Sequence, residues 1–468
     1  MESASCKLTP RGVSLQLAIT VYCAIRRYLQ PNRRLASVAH NKRETMSQLS
    51  QQTIAGKILL AVCVAALSYS LLIAEGFAEI LIEGRTMGPI EYQVQIDPLP
   101  DGLDQQEVGN SIQAELDQVN RLMSTYLPDS DVSRFNASSD TDWIKVTADT
   151  AKVIERALEI SKKTGGAFDI TVGPLVDLWH FGPDKDGAKN LPSQQAIGNA
   201  QKLVGYEQLT VRLDPPALKK AIGGIRIDLS AIAKGYAVDR VATHLDSLQI
   251  ENYFVTVGGE VRTRGTKSDG SLWEIGIERP DPNKFGTWDS MVPQSTGALA
   301  SSGDYRNFFV VDGVTYSHTI DPETGKPVTH NLASASVLAD DCMTADAYAT
   351  AALVLGKDKA AALLDELDMQ YHLITRDGTK LSQYSSEGLV VIDKPENKSS
   401  KRAGQSLLPM FVGTAIIFGL AILGMAVGAI VNNKPITGSC GGLSASTNID
   451  GDTNCSLCHK PTVECPDQ

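Results

Sequence analysis

The spacing of apolar residues predicts amphipathic helices in the middle of the chain. Helices are expected over Asp104–Ser124, Ala148–Lys163, Ala231–Leu248 and Thr344–Glu366, the last interrupted at Gly356. The second helix runs into a glycine pair, which is a common stop signal. In the first helix, apolar residues recur at intervals of three or four and therefore share one face: Val108, Ile112, Leu116, Val119 and Leu122.

Short runs rich in β-branched and aromatic residues predict strands between these helices. Helical and strand segments are mixed without the strict alternation of a parallel α/β fold. We therefore predict an α+β architecture with a mainly antiparallel sheet. The predicted strands include Glu91–Ile96, Tyr253–Val257, Trp273–Ile277, Phe308–Val311 and Ala333–Leu338.

Two uncharged apolar stretches flank this region. Ile58–Ala74 is about as short as a spanning helix can be and also fits a long signal-peptide core, so residues 57–76 are assigned to a membrane anchor or signal. Leu407–Val431 is long enough to cross a bilayer. Residues 77–392 between them form the expected central domain, and a polar linker follows at residues 393–406.

Basic residues near the two stretches predict their orientation. Residues 1–45 form a basic extension, which is either real or the result of a start codon upstream of Met46. The positive-inside rule favours an inside N-terminus. The central domain is then expected on the periplasmic side of a bacterial inner membrane, with the tail at residues 432–468 on the cytoplasmic side. The residues that favour this orientation are Lys42, Arg43 and Lys57, and those that oppose it are Lys398, Lys401 and Arg402.

Composition narrows the class of protein. The chain is 43% hydrophobic and 21% charged, which is typical of a folded globular protein. Its net charge of −11 argues against nucleic-acid binding, which needs a basic surface. Cys342 is the single cysteine of residues 77–392, so internal disulfides do not hold the central domain together.

The tail contains four further cysteines, two of them in a C-x-x-C pair: Cys440, Cys455, Cys458 and Cys465. Thiolates bind iron and zinc well, so these residues are candidate iron ligands. If the tail lies in an oxidising compartment, disulfides are the alternative.

Asp346 and Thr350 are the clearest candidate metal ligands in the central domain. They are four residues apart on a predicted helix, so their side-chain oxygens face the same way. A carboxylate and a hydroxyl suit Mg²⁺, with phosphate and water oxygens completing its shell. The alternative is a carboxylate near a helix start and a threonine bonded back to its own helix.

Lys234 and His318 are candidates for contact with an anion. Lys234 follows a strand that ends at Asp228 and lies near the positive end of a helix. A cation there is unfavourable unless it meets an anion such as a diphosphate. His318 precedes an Asp-Pro-x-x-Gly turn and is a candidate base or phosphate ligand. A solvent-facing lysine and a packed histidine are the alternatives.

A series of motifs runs in order through the central domain: Thr86-Met87-Gly88, Met123–Asn136, Gly166–Trp179, Ile227–Asp239, Val255–Gly265, Ser301–Phe309, Ser317–Pro327 and Thr344–Gly356. In combination they resemble the FAD:protein FMN transferases, the ApbE-like flavin transferases, over essentially the whole central domain. Pro89 is a departure, because the family commonly has threonine at this place.

This resemblance implies an ApbE-like, T-fold-like α+β domain that uses Mg²⁺ to move FMN from FAD onto a threonine or serine of an acceptor protein, with release of AMP. Asp346, Thr350 and the backbone carbonyl of Ala231 would hold Mg²⁺. His318 is the expected general base, and Lys234 would neutralise charge on the diphosphate. The residues implied to line the FAD site are Met87, Tyr126, Ala167, Phe168, Asp169, Asp228, Lys234 and His318.

The end of the chain, Leu407–Gln468, resembles NqrM, a small membrane protein needed for maturation of the Na⁺-translocating NADH:quinone reductase. The resemblance implies that subunits of this reductase are the flavinylated partners and that the tail delivers iron to the same complex. FAD and membrane lipid are the other expected partners.

A different class of function stays open, namely a membrane-tethered flavin carrier or an assembly scaffold without transferase activity. Asp346 and Thr350 favour the enzyme, because a carrier does not need Mg²⁺ at the diphosphate.

Overall fold

The computed structural model describes residues 79–182, 191–281 and 286–393. Both predicted membrane stretches, the linker after Asp393 and the cysteine tail lie outside the described residues, so these assignments stay predictions. Within the described ranges, no helix is both long and apolar enough to cross a bilayer. The chain divides into two units, and the fold below is that of the first, Met1–Ile392.

The strands of the described residues are β1 (Ile80–Thr86), β2 (Ile90–Ile96), β3 (Ile144–Lys145), β4 (Leu209–Leu213), β5 (Pro216–Lys220), β6 (Tyr253–Val257), β7 (Glu260–Arg264), β8 (Trp273–Glu278), β9 (Trp288–Gln294), β10 (Gly297–Gly303), β11 (Phe308–Val311), β12 (Val314–Ser317), β13 (Ile320–Asp321), β14 (Lys326–Pro327), β15 (Leu332–Ala339), β16 (Tyr371–Asp377), β17 (Lys380–Ser385) and β18 (Ile392–Asp393). Eight of them form one sheet in the order β1-β2-β6-β7-β10-β15-β16-β17. Every neighbouring pair in it is antiparallel, which confirms the predicted architecture.

The helices are α1 (Gln105–Met123), α2 (Asp131–Ala137), α3 (Ala148–Lys163), α4 (Gly173–Leu178), α5 (Gln194–Gln201), α6 (Ala233–Ser247), α7 (Cys342–Leu355) and α8 (Lys357–Glu366), with a 3₁₀ turn at Tyr206–Gln208. Polar side chains accept hydrogen bonds from the first free amides of several helices, which fixes where each begins. These N-caps are Asp104, Ser130, Thr147, Ser193 and Asp341.

Helices α1, α6 and α7 pack on the large sheet and on one another. Helix α1 packs on β1, α6 on β6 and β7, and α7 on β10 and β15. Helix α7 also contacts α3, so it is enclosed between the sheet and other helices. Its residues from Cys342 to Ala349 are buried without a break, which is typical of a helix in the centre of a domain.

Two smaller strand pairs lie near the predicted site. Strands β8 and β9 pair antiparallel, and their apolar residues form a separate cluster with Val261, Leu299 and Ile374 of the large sheet. Strands β11 and β12 form a hairpin that ends immediately before His318.

The predicted helices match the structure most closely where only local pattern matters. Helix α3 has the predicted bounds. The expected helix over Thr344–Glu366 begins earlier, at Cys342, and divides at Gly356, whose φ of 75° is outside the helical range. Helix α6 begins at Ala233 rather than at the predicted Ala231, because the Gly235 amide is bonded to Asp346.

Candidate active site

Asp346 is held at the contact between α6 and α7. Its carboxylate is 2% exposed, and Oδ2 accepts a hydrogen bond from the backbone amide of Gly235 at 3.0 Å. A Cβ atom at position 235 would lie 2.3 Å from the Cys342 carbonyl oxygen. Glycine at this position therefore allows the two helices to approach closely enough for the hydrogen bond to form.

The predicted magnesium ligands lie around this contact. In a regular helix the Gly235 amide would donate to the Ala231 carbonyl oxygen. Here the Gly235 amide donates to Asp346 instead, so the Ala231 carbonyl oxygen is available to bind a metal ion. Thr350 lies one turn after Asp346 on α7, and its hydroxyl is 3.0 Å from Ser302 Oγ. A carboxylate, a carbonyl and a hydroxyl are hard oxygen donors, and this set fits Mg²⁺.

The described ranges contain no group of three or more His, Cys, Asp or Glu side chains that could hold a metal ion. The predicted magnesium site includes only one such side chain, Asp346. It depends on backbone, hydroxyl and substrate oxygens for the remainder of its ligands.

Lys234 lies between two buried carboxylates. Its Nζ is 2.5 Å from Glu260 Oε1 and 3.6 Å from Asp346 Oδ1. Burial is the largest influence and lowers the pKa of Lys234, but attraction to Asp346 and Glu260 together outweighs it. The pKa of Lys234 therefore lies above its usual value, and the side chain stays cationic. Burial raises the pKa of Glu260 above its usual range, although Lys234 opposes the rise.

Glu260 is a site residue that no sequence pattern linked to Lys234. It is 2% exposed, and its Oε2 has no hydrogen-bond partner within the described residues. Gly258, with φ of 65°, packs over the ion pair: a Cβ there would lie 3.5 Å from Lys234 Cδ and 3.4 Å from Glu260 Oε2. A buried carboxylate oxygen without a donor is destabilising, so a donor supplied by a ligand would be favourable here. The sequence signal was the glycine pair that precedes Glu260.

Both hydrogen bonds of His318 go to one carbonyl oxygen, and its ring also packs edge-on against Phe181. Its backbone amide donates to Asn307 O at 2.9 Å, and its Nδ1 lies 3.1 Å from the same atom. Because a carbonyl oxygen only accepts, Nδ1 carries the proton and Nε2 of the neutral ring is the acceptor. Burial lowers the pKa of His318, and the nearby charge of Lys234 acts in the same direction, while the Asn307 carbonyl, Asp228 and Asp304 oppose them.

Some of the residues predicted to line the FAD site are partly or largely exposed, and two of them, Tyr126 and Asp228, interact electrostatically. Met87 adopts φ of 48° in the turn between β1 and β2, next to Gly88 with φ of 84°. Tyr126 is 61% exposed, and its pKa is raised by partial burial and by the negative charge of Asp228. The negative charge of Asp228 also acts to raise the pKa of His318, so the same carboxylate influences both Tyr126 and the histidine.

Other predicted FAD residues have their side chains engaged within the fold. Phe168 is 2% exposed and belongs to the main hydrophobic core, whereas Ala167 beside it is half-buried. Asp169 accepts hydrogen bonds from the amide of Thr171 at 2.7 Å and from the amide of Tyr206 at 2.8 Å. Burial raises its pKa, and these hydrogen bonds oppose the rise. The side chains of Phe168 and Asp169 therefore hold this stretch of backbone in place and leave the neighbouring Ala167 partly exposed.

Comparison with known proteins agrees with this architecture. A family model described as the ApbE family matches residues 87–374, and one described as (Na+)-NQR maturation NqrM matches residues 429–466. The FAD:protein FMN transferase of Haemophilus influenzae is 37% identical over 324 residues, which cover 68% of this chain and 93% of the relative. The FAD:protein FMN transferase of Vibrio cholerae is 38% identical over 308 residues, which cover 66% of this chain and 91% of the relative.

Solved structures extend the likeness to the fold. Flavin transferase ApbE from Vibrio cholerae has a TM-score of 0.61 and 36% identity, covering 66% of this chain and 97% of that one. The apo form of Pseudomonas stutzeri flavinyl transferase ApbE has a TM-score of 0.61 and 34% identity, covering 66% of this chain and 95% of that one. Both predicted resemblances are confirmed, together with the predicted enzyme class, FAD:protein FMN transferase. The chain belongs to the ApbE family.

Proposed function

We propose that the central domain uses Mg²⁺ to transfer FMN from FAD to a threonine or serine hydroxyl of an acceptor protein. The observation that carries this proposal is the group formed by Asp346, Lys234 and Glu260, in which a buried carboxylate suited to a metal lies 3.6 Å from an ammonium whose pKa is raised. With the Ala231 carbonyl and Thr350, this group fits a diphosphate and its cation. Relatives named FAD:protein FMN transferase support the same reaction.

In the proposed mechanism, the acceptor hydroxyl oxygen attacks the phosphorus on the FMN side of the FAD diphosphate. The proton of the hydroxyl passes to Nε2 of His318, the acceptor atom of the neutral ring. A new bond joins the acceptor oxygen to that phosphorus. The bond from phosphorus to the bridging oxygen breaks, and AMP leaves with the bond's electron pair.

Lys234 stabilises the negative charge that develops on the diphosphate during this step. Its raised pKa keeps it protonated over the whole physiological range, so no proton has to be acquired before reaction. When bound, Mg²⁺ would supply further charge neutralisation at the phosphoryl oxygens. Glu260 holds the ammonium in position through the 2.5 Å contact.

A flavin-transfer assay tests this proposal. The full chain, purified in detergent, is mixed with FAD, Mg²⁺ and a candidate acceptor subunit, and covalent flavin is detected by fluorescence of the denatured acceptor on a gel. We expect a fluorescent acceptor that disappears with a chelator and in Asp346→Asn. The matched control is Asp358→Asn, at an aspartate whose side chain is 87% exposed on α8, which should transfer normally. FAD binding without transfer by the unsubstituted chain would favour the carrier instead.

We propose that the acceptors are subunits of a Na⁺-translocating NADH:quinone reductase and that the tail binds iron for the same complex. The NqrM match supports this, because it includes every cysteine of the tail. The two apolar stretches would anchor the chain in a bacterial inner membrane, with the transferase domain in the periplasm and the tail in the cytoplasm. The proposed iron ligands are Cys440, Cys455, Cys458 and Cys465.

Replacing all four tail cysteines with serine separates the two activities. We expect the variant to lose bound iron, measured by elemental analysis of the anaerobically purified full chain, and to keep its flavin-transfer rate. Equal iron content in variant and unsubstituted chain would contradict the proposed role of the tail.

A further inference from the structure

We propose that Glu278 and Arg376 are positioning residues for flavin transfer, because they anchor the segment that orients His318. We call residues 302–307, the last two residues of β10 and the loop that leads to β11, the anchored segment. The inference rests on the proposed role of His318 as base. Neither Glu278 nor Arg376 contacts His318, so their effect would pass through the backbone of the anchored segment.

Both ends of the anchored segment contact groups of the proposed active site. At one end, Ser302 Oγ is 3.0 Å from the hydroxyl of Thr350, a predicted magnesium ligand. At the other end, Asn307 O accepts from the backbone amide of His318 and from its ring Nδ1, at 2.9 and 3.1 Å. Ser302 is held in β10 by its pairing with Ala335, so loss of an anchor would displace the Asn307 end of the segment and rotate the His318 ring.

The first anchor is a bidentate ion pair. Arg376 on β16 donates from Nη1 to Asp304 Oδ2 at 2.9 Å and from Nη2 to Asp304 Oδ1 at 3.0 Å. Its Nη2 also donates to the carbonyl oxygen of Pro280 at 2.9 Å. Two parallel bonds between planar groups fix orientation as well as distance, so Asp304 has little freedom relative to β16.

The second anchor joins the two residues that follow Asp304 to the last residue of β8. Glu278 Oε2 accepts from the Tyr305 hydroxyl and from Arg306 Nε, each at 2.9 Å. Its Oε1 accepts from the Gly286 amide at 2.8 Å, and its side chain is 14% exposed. Burial and the charge of Glu278 raise the pKa of Tyr305, so the phenol stays a donor. Three consecutive side chains are thus tied to two different sheets immediately before Asn307.

Single substitutions in the full chain give the first test. We expect Glu278→Ala and Arg376→Ala to lower kcat by about 10- to 100-fold, since a displacement of about 1 Å at a reacting group has effects of this size. The KM for FAD should change little, because neither residue is among those proposed to line the FAD site. Arg376→Lys keeps one hydrogen bond and the charge, so it should recover part of the lost rate. The matched control is Arg264→Ala on β7, which removes the 2.6 Å pair with Asp246 of α6 and should leave kcat unchanged.

A double substitution distinguishes positioning from loss of fold. If Glu278 acts through His318, Glu278→Ala should lower kcat strongly in the unsubstituted chain and hardly at all in His318→Ala. The inference would be overturned if the two losses of kcat multiply in the double variant. It would also be overturned if the fall in kcat matches the unfolded fraction, measured by circular dichroism at the assay temperature. A normal kcat in His318→Ala alone would instead refute the proposed base. If kcat is normal in Glu278→Ala but lowered in His318→Ala, the proposed base stands and the positioning role of Glu278 is refuted.

Discussion

Two lysines in this domain, Lys220 fully buried and Lys234 with 26% of its side chain exposed, have opposite surroundings. Lys220 at the end of β5 donates to the carbonyl oxygens of Phe135, Ser138 and Ile225 at 2.9, 2.8 and 3.1 Å, and its Nζ lies 4.3 Å from the centre of the Phe135 ring. Burial lowers its pKa. Lys234 faces two carboxylates, its pKa is raised, and one oxygen of Glu260 beside it has no donor.

This difference separates a structural charge from a functional one. The carbonyl groups around Lys220 satisfy its donors and link three segments of chain, so nothing further is needed there. Around Lys234, two carboxyl groups face one ammonium, burial raises the pKa of Glu260, and Glu260 Oε2 has no hydrogen-bond partner within the described residues, an arrangement that a bound cation or donor would stabilise. The carboxyl groups and the unpartnered oxygen beside the ammonium, rather than burial, distinguish Lys234 from Lys220.

Replacing each lysine by methionine should separate stability from activity. Lys220→Met leaves several buried carbonyl groups without a donor, and we expect it to lower the free energy of unfolding by about 3 kcal/mol or more. The transfer rate per folded molecule should stay unchanged. Urea unfolding followed by circular dichroism, together with the flavin-transfer assay, measures both quantities. If Lys220→Met is as stable as the unsubstituted chain, the hydrogen bonds from Lys220 to the backbone carbonyl oxygens do not stabilise the fold.

Lys234→Met should affect the reaction instead. Loss of an aligned charge at a developing oxyanion commonly lowers kcat by about 10²- to 10³-fold. Single-turnover transfer with saturating FAD measures the chemical step directly. Retention of the normal rate would remove Lys234 from the mechanism.

Glu260→Gln is expected to have a smaller effect. Glutamine keeps an acceptor for the Lys234 ammonium but removes the carboxylate charge, so the hydrogen bond remains and the ion-pair attraction that holds the ammonium is lost. We expect about a tenfold fall in the transfer rate, equivalent to about 1.4 kcal/mol. Glu274→Gln on β8, at an exposed position, serves as the matched control. A larger loss than in Lys234→Met would indicate that Glu260 has a role of its own.

The smallest effect concerns pH. Burial lowers the pKa of His318 below the usual histidine value of about 6.5, so the ring stays neutral as the pH falls to that value. A base acts in its neutral form, so in Glu260→Gln, which removes the buried carboxyl whose pKa is raised to about 7, kcat should be constant near neutral pH and decrease only under more acidic conditions. A kcat profile measured from acid to neutral pH tests this. A decrease centred above the usual histidine value would contradict the expected direction.

Local sequence pattern predicted much of this fold. The bounds of α3 follow from apolar spacing, a threonine cap and a closing glycine pair, all of which act within a few residues. The placement of Asp346 and Thr350 on one helix face has the same origin. Strands β1, β10, β16 and β17 had no predicted counterpart. Several of their residues are small or polar, and their pairing depends on neighbours distant in sequence.

The sequence by itself determined the helical periodicity, the ordered motifs, the two apolar stretches and the cysteine tail, because each is a property of short segments. Only the tertiary structure decided that Glu260 secures Lys234 and that Asn307 orients His318. It also decided that α6 begins at Ala233, because Asp346, 111 residues away along the chain, takes the Gly235 amide. Such contacts join groups whose separation no local spacing encodes. Their energies depend on burial and on the partners available, and both exist only after the sheet and helices have packed together.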